Sequence, residues 1–250
     1  MIERKNNMNK LVSVITPSFN SDKTIRYTLE SMVNQVYKNY EYIIIDGGSN
    51  DNTLKIIDEY KHLFGERLKI ISEKDNGIYD AMNKGISIAK GELIGILNSD
   101  DWYEKNTIEL AVKNYKGNKY EVIYGIQRNI KNEKRYIEFI KSHEFLNEHM
   151  ITHPTCFVSK KIYDDFGGFD TNYISSADYD FMLRLYYSNS VNFNPVYKVM
   201  SNFRVGGMSS NQIGVRETAK IKYKYGIISK NKCRLIILKS KIYSFITKRK

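Results

Sequence analysis

Apolar residues fall into two alternating rhythms along the first hundred positions. Leu11-Val12-Ser13-Val14-Ile15-Thr16, Tyr42-Ile43-Ile44-Ile45-Asp46, Leu68-Lys69-Ile70-Ile71-Ser72 and Leu93-Ile94-Gly95-Ile96-Leu97 are short and mostly uninterrupted. Such runs read as strands covered on both faces. Between them the apolar positions recur every three or four residues. Ile25, Leu29, Met32, Val33 and Val36 form one set, Ile56, Ile57 and Tyr60 a second, and Met82, Ile86 and Ala89 a third. Each set predicts a helix with one buried face. Pro17 is expected to stop the first strand. Ser21 or Asp22 suits the cap of the first helix, and Asp51 or Asn52 that of the second. Asp75-Asn76-Gly77 opens the third.

This alternation predicts an α/β fold, with a mostly parallel central sheet and helices on both faces. Right-handed crossovers carry the strand-end loops to one edge. Residues 16–20, 46–51, 75–80 and 98–101 therefore converge where open α/β sheets place ligands. Beyond residue 101 the pattern is less regular. Asp101-Trp102-Tyr103-Glu104 reads as the start of a helix reaching Tyr115. Glu121–Gly125 and Arg135–Phe139 suit an antiparallel pair of strands, and Thr155–Val158 a short one. Ser159 caps a helix ending at Gly167-Gly168, Asp178–Tyr187 forms another, and Val196–Phe203 is strand-like. From Val215 the chain is helical and basic.

The chain has 250 residues, enough for one large α/β domain. Its two cysteines, Cys156 and Cys233, lie far apart without metal-ligand spacing, which fits a reducing cytosol. Met1–Lys10 lacks the apolar stretch of a signal peptide, and no run of 18 apolar residues predicts a membrane span. Charge is informative once located. Of 39 Lys and Arg, 12 fall within residues 215–250 beside a single acid, Glu217. The remaining body is neutral, which argues against a nucleic-acid partner.

The strand Leu93–Leu97 delivers Asn98, Asp100 and Asp101 together. Clustered oxygen ligands suit a hard divalent cation that also holds phosphates. A turn with a helix cap accounts for the same residues. Asp46 can accept a hydrogen bond from a base or ribose, with Pro17 and Phe19 as an apolar wall; turn capping is the alternative. No phosphate loop of the Walker type and no Gly-x-Gly-x-x-Gly follows the first strand, which excludes two common nucleotide-binding classes.

Four ordered stretches carry a resemblance: Val14-Ile15-Thr16-Pro17-Ser18-Phe19-Asn20, Ile45-Asp46-Gly47-Gly48-Ser49-Asn50-Asp51-Asn52-Thr53, Gly77-Ile78-Tyr79-Asp80-Ala81-Met82-Asn83-Lys84-Gly85 and Leu97-Asn98-Ser99-Asp100-Asp101. Ser176-Ala177-Asp178-Tyr179-Asp180 adds a fifth. Together they resemble the family 2 glycosyltransferases of the GT-A, Rossmann-like fold, among them bacterial enzymes of the colanic-acid type. The resemblance implies inverting transfer from a nucleoside-diphosphate sugar, a UDP-sugar in the first instance. Thr16, Pro17, Phe19, Asn20, Asp46, Gly48 and Ser49 match the nucleoside pocket. Asp80, Asn83, Asn98, Asp101 and His153 match the donor sugar and diphosphate side. Asn98-Ser99-Asp100 aligns with the family's Asp-x-Asp motif, so Asp100 becomes the principal ligand for Mg²⁺ or Mn²⁺ and Asn98 brings an uncharged amide. Asp178 inherits the catalytic base. Asp180 is expected to pair with Arg184 one turn on. His153 is open between a diphosphate contact and a structural role, and Gly206-Gly207-Met208-Ser209-Ser210 between a donor-covering loop and a plain one.

On this reading residues 1–214 form the catalytic domain, with a nucleotide-binding half at 10–101 and an acceptor-binding half at 102–214. Leu235, Leu238, Ile242, Phe245 and Ile246, flanked by Lys232, Arg234, Lys239, Lys241, Lys248, Arg249 and Lys250, predict a basic amphipathic helix within the tail 215–250. Such a helix suits an anionic membrane surface, where a lipid-linked acceptor would reside, or packs on protein. The expected enzyme extends a cell-surface glycan or lipid-linked acceptor as a peripheral protein at the cytoplasmic membrane face. A sugar nucleotidyltransferase and a non-catalytic nucleotide or nucleic-acid binding module are the rivals. The first needs a Gly- and Arg-rich loop that residues 16–20 lack; the second has no use for Asp178.

Overall fold

The computed structural model describes residues 9–131, 134–206 and 212–247. Strands β1 (Val12–Ser18), β2 (Tyr40–Asp46), β3 (Leu68–Ser72) and β4 (Leu93–Ile96) pair in parallel. Helices α1 (Ile25–Val33), α2 (Thr53–Phe64) and α3 (Ile78–Ile88) connect them. Successive strand residues point to opposite faces. Ile15, Ile43 and Ile45 therefore pack with Met82 and Ile86 of α3. Val14, Tyr42 and Ile44 pack with Ile25 and Leu29 of α1 and Ile57 of α2. Gly85 lets α3 press onto β1, because a Cβ there would lie 2.5 Å from Ile15 Cγ2.

Three expectations change here. The first strand runs through Pro17 instead of stopping before it. Ile15 O accepts from Leu97 N at 2.9 Å and Ser18 O from Gly47 N at 2.8 Å, so alternate residues face β4 and β2. Position 17 faces the β4 side, where the ladder has already ended at Ile15–Ile96. The missing N–H of proline thus costs no ladder bond. The first helix begins at Ile25, later than a cap at Ser21 or Asp22 would give, and Val36 lies beyond its end and exposed. Trp102–Tyr103 is a strand, β5, and the following helix α4 is Thr107–Asn114.

The second half adds β6 (Glu121–Lys131), β7 (Lys134–Phe139), β8 (Phe157–Ser159) and β9 (Asn192–Arg204). Helices α5 (Lys160–Phe166) and α6 (Ala177–Tyr187) lie between β8 and β9. The sheet order is β3-β2-β1-β4-β8-β6-β9-β5, with β7 on β6. β4 pairs with β1 in parallel and with β8 antiparallel, so the sheet is parallel on one side of β4 and mixed on the other. β9 fixes β5 by pairing Asn202 with Trp102 and Ser201 with Tyr103.

The basic tail is two helices, α7 (Gln212–Lys224) and α8 (Lys230–Thr247), turned at Gly226 with φ +70°. A boundary at residue 214 falls inside α7. This helix belongs to the body: the Glu217 carboxylate accepts from Ile174 N and Ser175 N, both at 2.8 Å. α8 rests on α7 through buried Cys233 and through Ser240, which donates to Gln212 O at 3.2 Å. Leu235, Leu238, Ile242, Phe245 and Ile246 remain exposed. Lys248, Arg249 and Lys250 lie outside the described residues.

Candidate active site

The carboxyl ends of the parallel strands open into a cleft of about 760 Å³. Pro17, Phe19 and Asn20 reach it from the end of β1, and Asn98 and Asp100 from the end of β4. His153 and Asp178 reach it from the second half. Residues expected from four separate stretches are therefore brought together. Phe19 is 61% exposed, so an aromatic face is available on the cleft wall.

Asn98 and Asp100 offer oxygen to a cation. The Asn98 Oδ1 atom is buried without a hydrogen-bond partner, while its amide nitrogen donates to Asp101 at 3.3 Å. An orphaned buried acceptor beside a carboxylate is what a hard cation would satisfy. Burial raises the Asp100 carboxyl above its ordinary range, and Arg204 opposes that rise. Among the described residues no group of three or more His, Cys, Asp or Glu is clustered for a metal. A cation here would draw its remaining ligands from phosphate and water, as Mg²⁺ commonly does. The residues present fit that arrangement.

Asp178 sits in the first turn of α6, where the helix dipole favours a carboxylate. Its Oδ1 accepts from the buried Tyr79 hydroxyl at 3.0 Å. Burial lowers the His153 imidazole below its usual pKa, with the Asp178 charge pulling the other way.

A sequence model described as "Glycosyl transferase family 2" matches residues 13–176. The chain belongs to this family. This glycosyltransferase is 29% identical to a chondroitin synthase of Escherichia coli over 90% of its own length, but spans only 35% of that protein. It is 28% identical to a PGL/p-HBAD biosynthesis glycosyltransferase of Mycobacterium bovis, covering 84% of this chain and 83% of that one. Among solved structures, S. aureus TarS in complex with UDP-GlcNAc aligns with a TM-score of 0.72 at 20% identity, over 90% of this chain and 70% of that one. A mannosyltransferase from Pyrobaculum calidifontis in complex with GDP-Man and Mn²⁺ aligns at 0.68 with 17% identity, over 93% of this chain and 69% of that one. These likenesses show the GT-A type of α/β fold.

Seven other expected site residues of the glycosyltransferase stand outside the cleft lining. Asp46 is fully buried, and its carboxylate accepts from Gly48 N at 3.1 Å, Ser49 N at 2.9 Å, Ser72 Oγ at 2.7 Å and the Ser49 hydroxyl. The residue organises the β2 turn, in which Gly48 takes φ +83°. Ser49 Oγ accepts from Asn20 N at 2.8 Å, and Asn20 Oδ1 from Asn50 N at 3.0 Å, so the loops after β1 and β2 are tied together. Thr16 is buried and accepts from the Tyr42 hydroxyl at 3.0 Å. Asp80 caps Asn76 N at 2.9 Å and pairs with Lys84 at 3.5 Å.

Asn83 exchanges two hydrogen bonds with the backbone of Phe169, at 2.8 and 2.9 Å, and so holds the connection leading to α6. Asp101 is fully buried and accepts from Arg204 N at 3.0 Å. Burial and the neighbouring Asp100 push its carboxyl well above the usual range. Asp101 thus anchors the end of β9. Asp180 is corrected: it pairs with Lys224 of α7 at 2.8 Å. Arg184 instead donates to Phe166 O at 2.6 Å and Gly168 O at 2.7 Å.

Sequence reasoning missed Tyr79 and Arg204, which both line the cleft. Tyr79 lay inside a quoted motif, but its partner Asp178 is 99 positions away. The Arg204 guanidinium lies 4.9 Å from the Tyr27 ring and 5.3 Å from the Trp102 ring. No spacing in the chain connects those three. Of the loop Gly206–Ser210, Gly206 borders the cleft and the rest lies outside the described residues.

Proposed function

We propose that this glycosyltransferase moves a sugar, with inversion, from a UDP-sugar to a glycan or lipid-linked acceptor. One observation carries the reading: a cation-suited pair, Asn98 and Asp100, shares a cleft with a helix-anchored carboxylate, Asp178. The complexes of the structural relatives, one with UDP-GlcNAc and one with GDP-Man and Mn²⁺, support a nucleoside-diphosphate donor. The chondroitin synthase likeness supports a polysaccharide product.

Phe19 and Pro17 offer the nucleoside an apolar wall. Asp100 and the Asn98 amide oxygen would hold Mg²⁺ or Mn²⁺ against the diphosphate. When bound, the cation stabilises charge on the departing nucleotide. Asp178 takes the proton of the acceptor hydroxyl as that oxygen attacks the anomeric carbon. Attack opposite the leaving diphosphate inverts the centre without a covalent intermediate. Among the described residues no helix is long and apolar enough to cross a membrane. The exposed apolar positions of α8, set among Lys232, Arg234, Lys239 and Lys241, suit peripheral attachment to the anionic cytoplasmic face.

The test is a screen of nucleotide sugars for UDP or GDP release with Mn²⁺ or Mg²⁺ present. Release from a UDP-sugar, abolished by chelator, is expected; no release from any donor defeats the proposal. Asp178→Asn keeps the shape and removes the base. It should cost roughly 10²–10⁴-fold in turnover with UDP affinity retained.

A further inference from the structure

A second cleft, of about 520 Å³, meets the first at Asp178 and Ser175. His149 and Met150 form one part of its wall; Val215, Thr218 and Lys222 of α7 and Ile236 of α8 form another. The family match ends at residue 176, so the α7 and α8 wall lies beyond it. Glu217 ties that wall to the segment carrying the base, through its two bonds to Ile174 N and Ser175 N.

A base for glycosyl transfer must touch the acceptor hydroxyl while facing the donor carbon. A carboxylate bordering two clefts meets that need. The first cleft holds the residues suited to a nucleotide and a cation. The second holds none of these. It offers the hydroxyls of Ser175, Ser176 and Thr218 beside the apolar Val215 and Ile236. Such a mixture suits a sugar, which presents hydroxyls at its rim and C–H groups on its faces.

Charge narrows the class. Lys222 Nζ gives one proton to Glu148 O at 2.7 Å, and an ammonium has three to give. His149 Nδ1 is buried without a hydrogen-bond partner. Asp178 is the only acid lining this cleft among the described residues.

We propose that this second cleft is the acceptor subsite and takes a saccharide bearing a carboxylate or phosphate, with its reacting hydroxyl at Asp178 and its anion at Lys222. The proposal rests on the donor cleft and base assigned above. The hydroxyl proton passes to the Asp178 carboxylate. The new C1–O bond forms as the bond from C1 to the diphosphate oxygen breaks, and its electron pair leaves with the nucleotide. Acceptor choice is thereby set by the C-terminal helices.

The test uses Val215, 44% exposed at the rim, as a reporter. The native Cys156 and Cys233 are buried, so Val215→Cys supplies an accessible thiol. Its alkylation by a maleimide is timed with p-nitrophenyl β-D-glucuronide, with glucose 6-phosphate and with neutral p-nitrophenyl β-D-glucoside. At least one anionic sugar should slow alkylation severalfold more than the neutral one, and which of them does so identifies the anion. Adding Lys222→Met should erase that difference. No protection by any sugar overturns the acceptor assignment, as does equal protection by UDP. Equal protection by charged and neutral sugars overturns the anionic class. Calorimetric titration of UDP with Mn²⁺ into the same variant separates the two levels: absent UDP binding defeats the donor reading instead.

Discussion

The Tyr79 hydroxyl is the residue-scale feature most directly tied to chemistry. It comes from α3, the helix behind the donor motifs, and donates to the carboxylate on α6. With Asp178 as the proposed base, holding that carboxylate in one orientation would spare the reaction the cost of arranging it. Tyr79→Phe removes the donor and keeps the ring that packs against Phe169. Turnover should fall roughly tenfold or more, since a hydrogen bond to a charged group is worth about 1.5–3 kcal/mol. Steady-state kinetics should place the loss in kcat, with UDP affinity unchanged; a normal kcat would leave Tyr79 a packing residue. His153 gives a pH prediction. Burial holds its pKa below 6.5, so the unfolded chain binds protons first as the solution is acidified. Stability then falls as pH drops below about 6.5 toward the lowered folded value. His143, also lowered by burial, adds to the slope. His153→Gln should lose less melting temperature than the native chain between pH 7 and pH 5, checked by thermal denaturation in matched buffers.

At the scale of elements, the turn after β2 depends on Asp46. Asp46→Ala would leave two backbone N–H groups and two hydroxyls without their acceptor. The expected result is a stability loss of roughly 2–5 kcal/mol, measured as a shift in urea midpoint. An unchanged midpoint together with lost UDP affinity would instead make Asp46 a nucleoside contact. Asp46 also shows where sequence reading stops. β3 and the core positions Ile25, Leu29, Met32, Met82 and Ile86 were legible because helices and strands repeat with fixed periods. β5 was not, because Trp102–Tyr103 begins well as a helix and is made a strand only by Asn202 and Ser201, about 100 positions later. Pro17 misled for a similar reason: whether its missing N–H matters depends on how far β4 extends. The cleft positions of Pro17, Phe19, Asn20, Asn98 and Asp100 were legible because strand ends converge, whereas Asp178 and His153 were expected only from the family resemblance. Whether a carboxylate faces the cleft, as Asp178 does, or the interior, as Asp101 does, turns on partners that local pattern does not encode.

For the whole molecule, charge is segregated: the final 36 residues carry 12 of the 39 basic side chains. α7 is built into the body, so the part removable without touching the donor cleft starts after Gly226. Truncation there should release the protein from anionic vesicles in a sedimentation assay while UDP binding persists. Each Lys or Arg near such a surface contributes about 1 kcal/mol, and salt screens that share. High salt should therefore weaken attachment of the full chain only partly, leaving the apolar share from Leu238, Ile242 and Phe245. Equal pelleting of both forms would make α8 a docking helix for protein. One further consequence follows from β4, which pairs in parallel with β1 and antiparallel with β8. A strand shared in this way is a seam between two differently built halves. His153 and Asp178, from beyond it, meet Asn98 and Asp100 in one cleft. A small slip along that seam would therefore misalign the proposed base and the cation-suited pair while leaving each half folded.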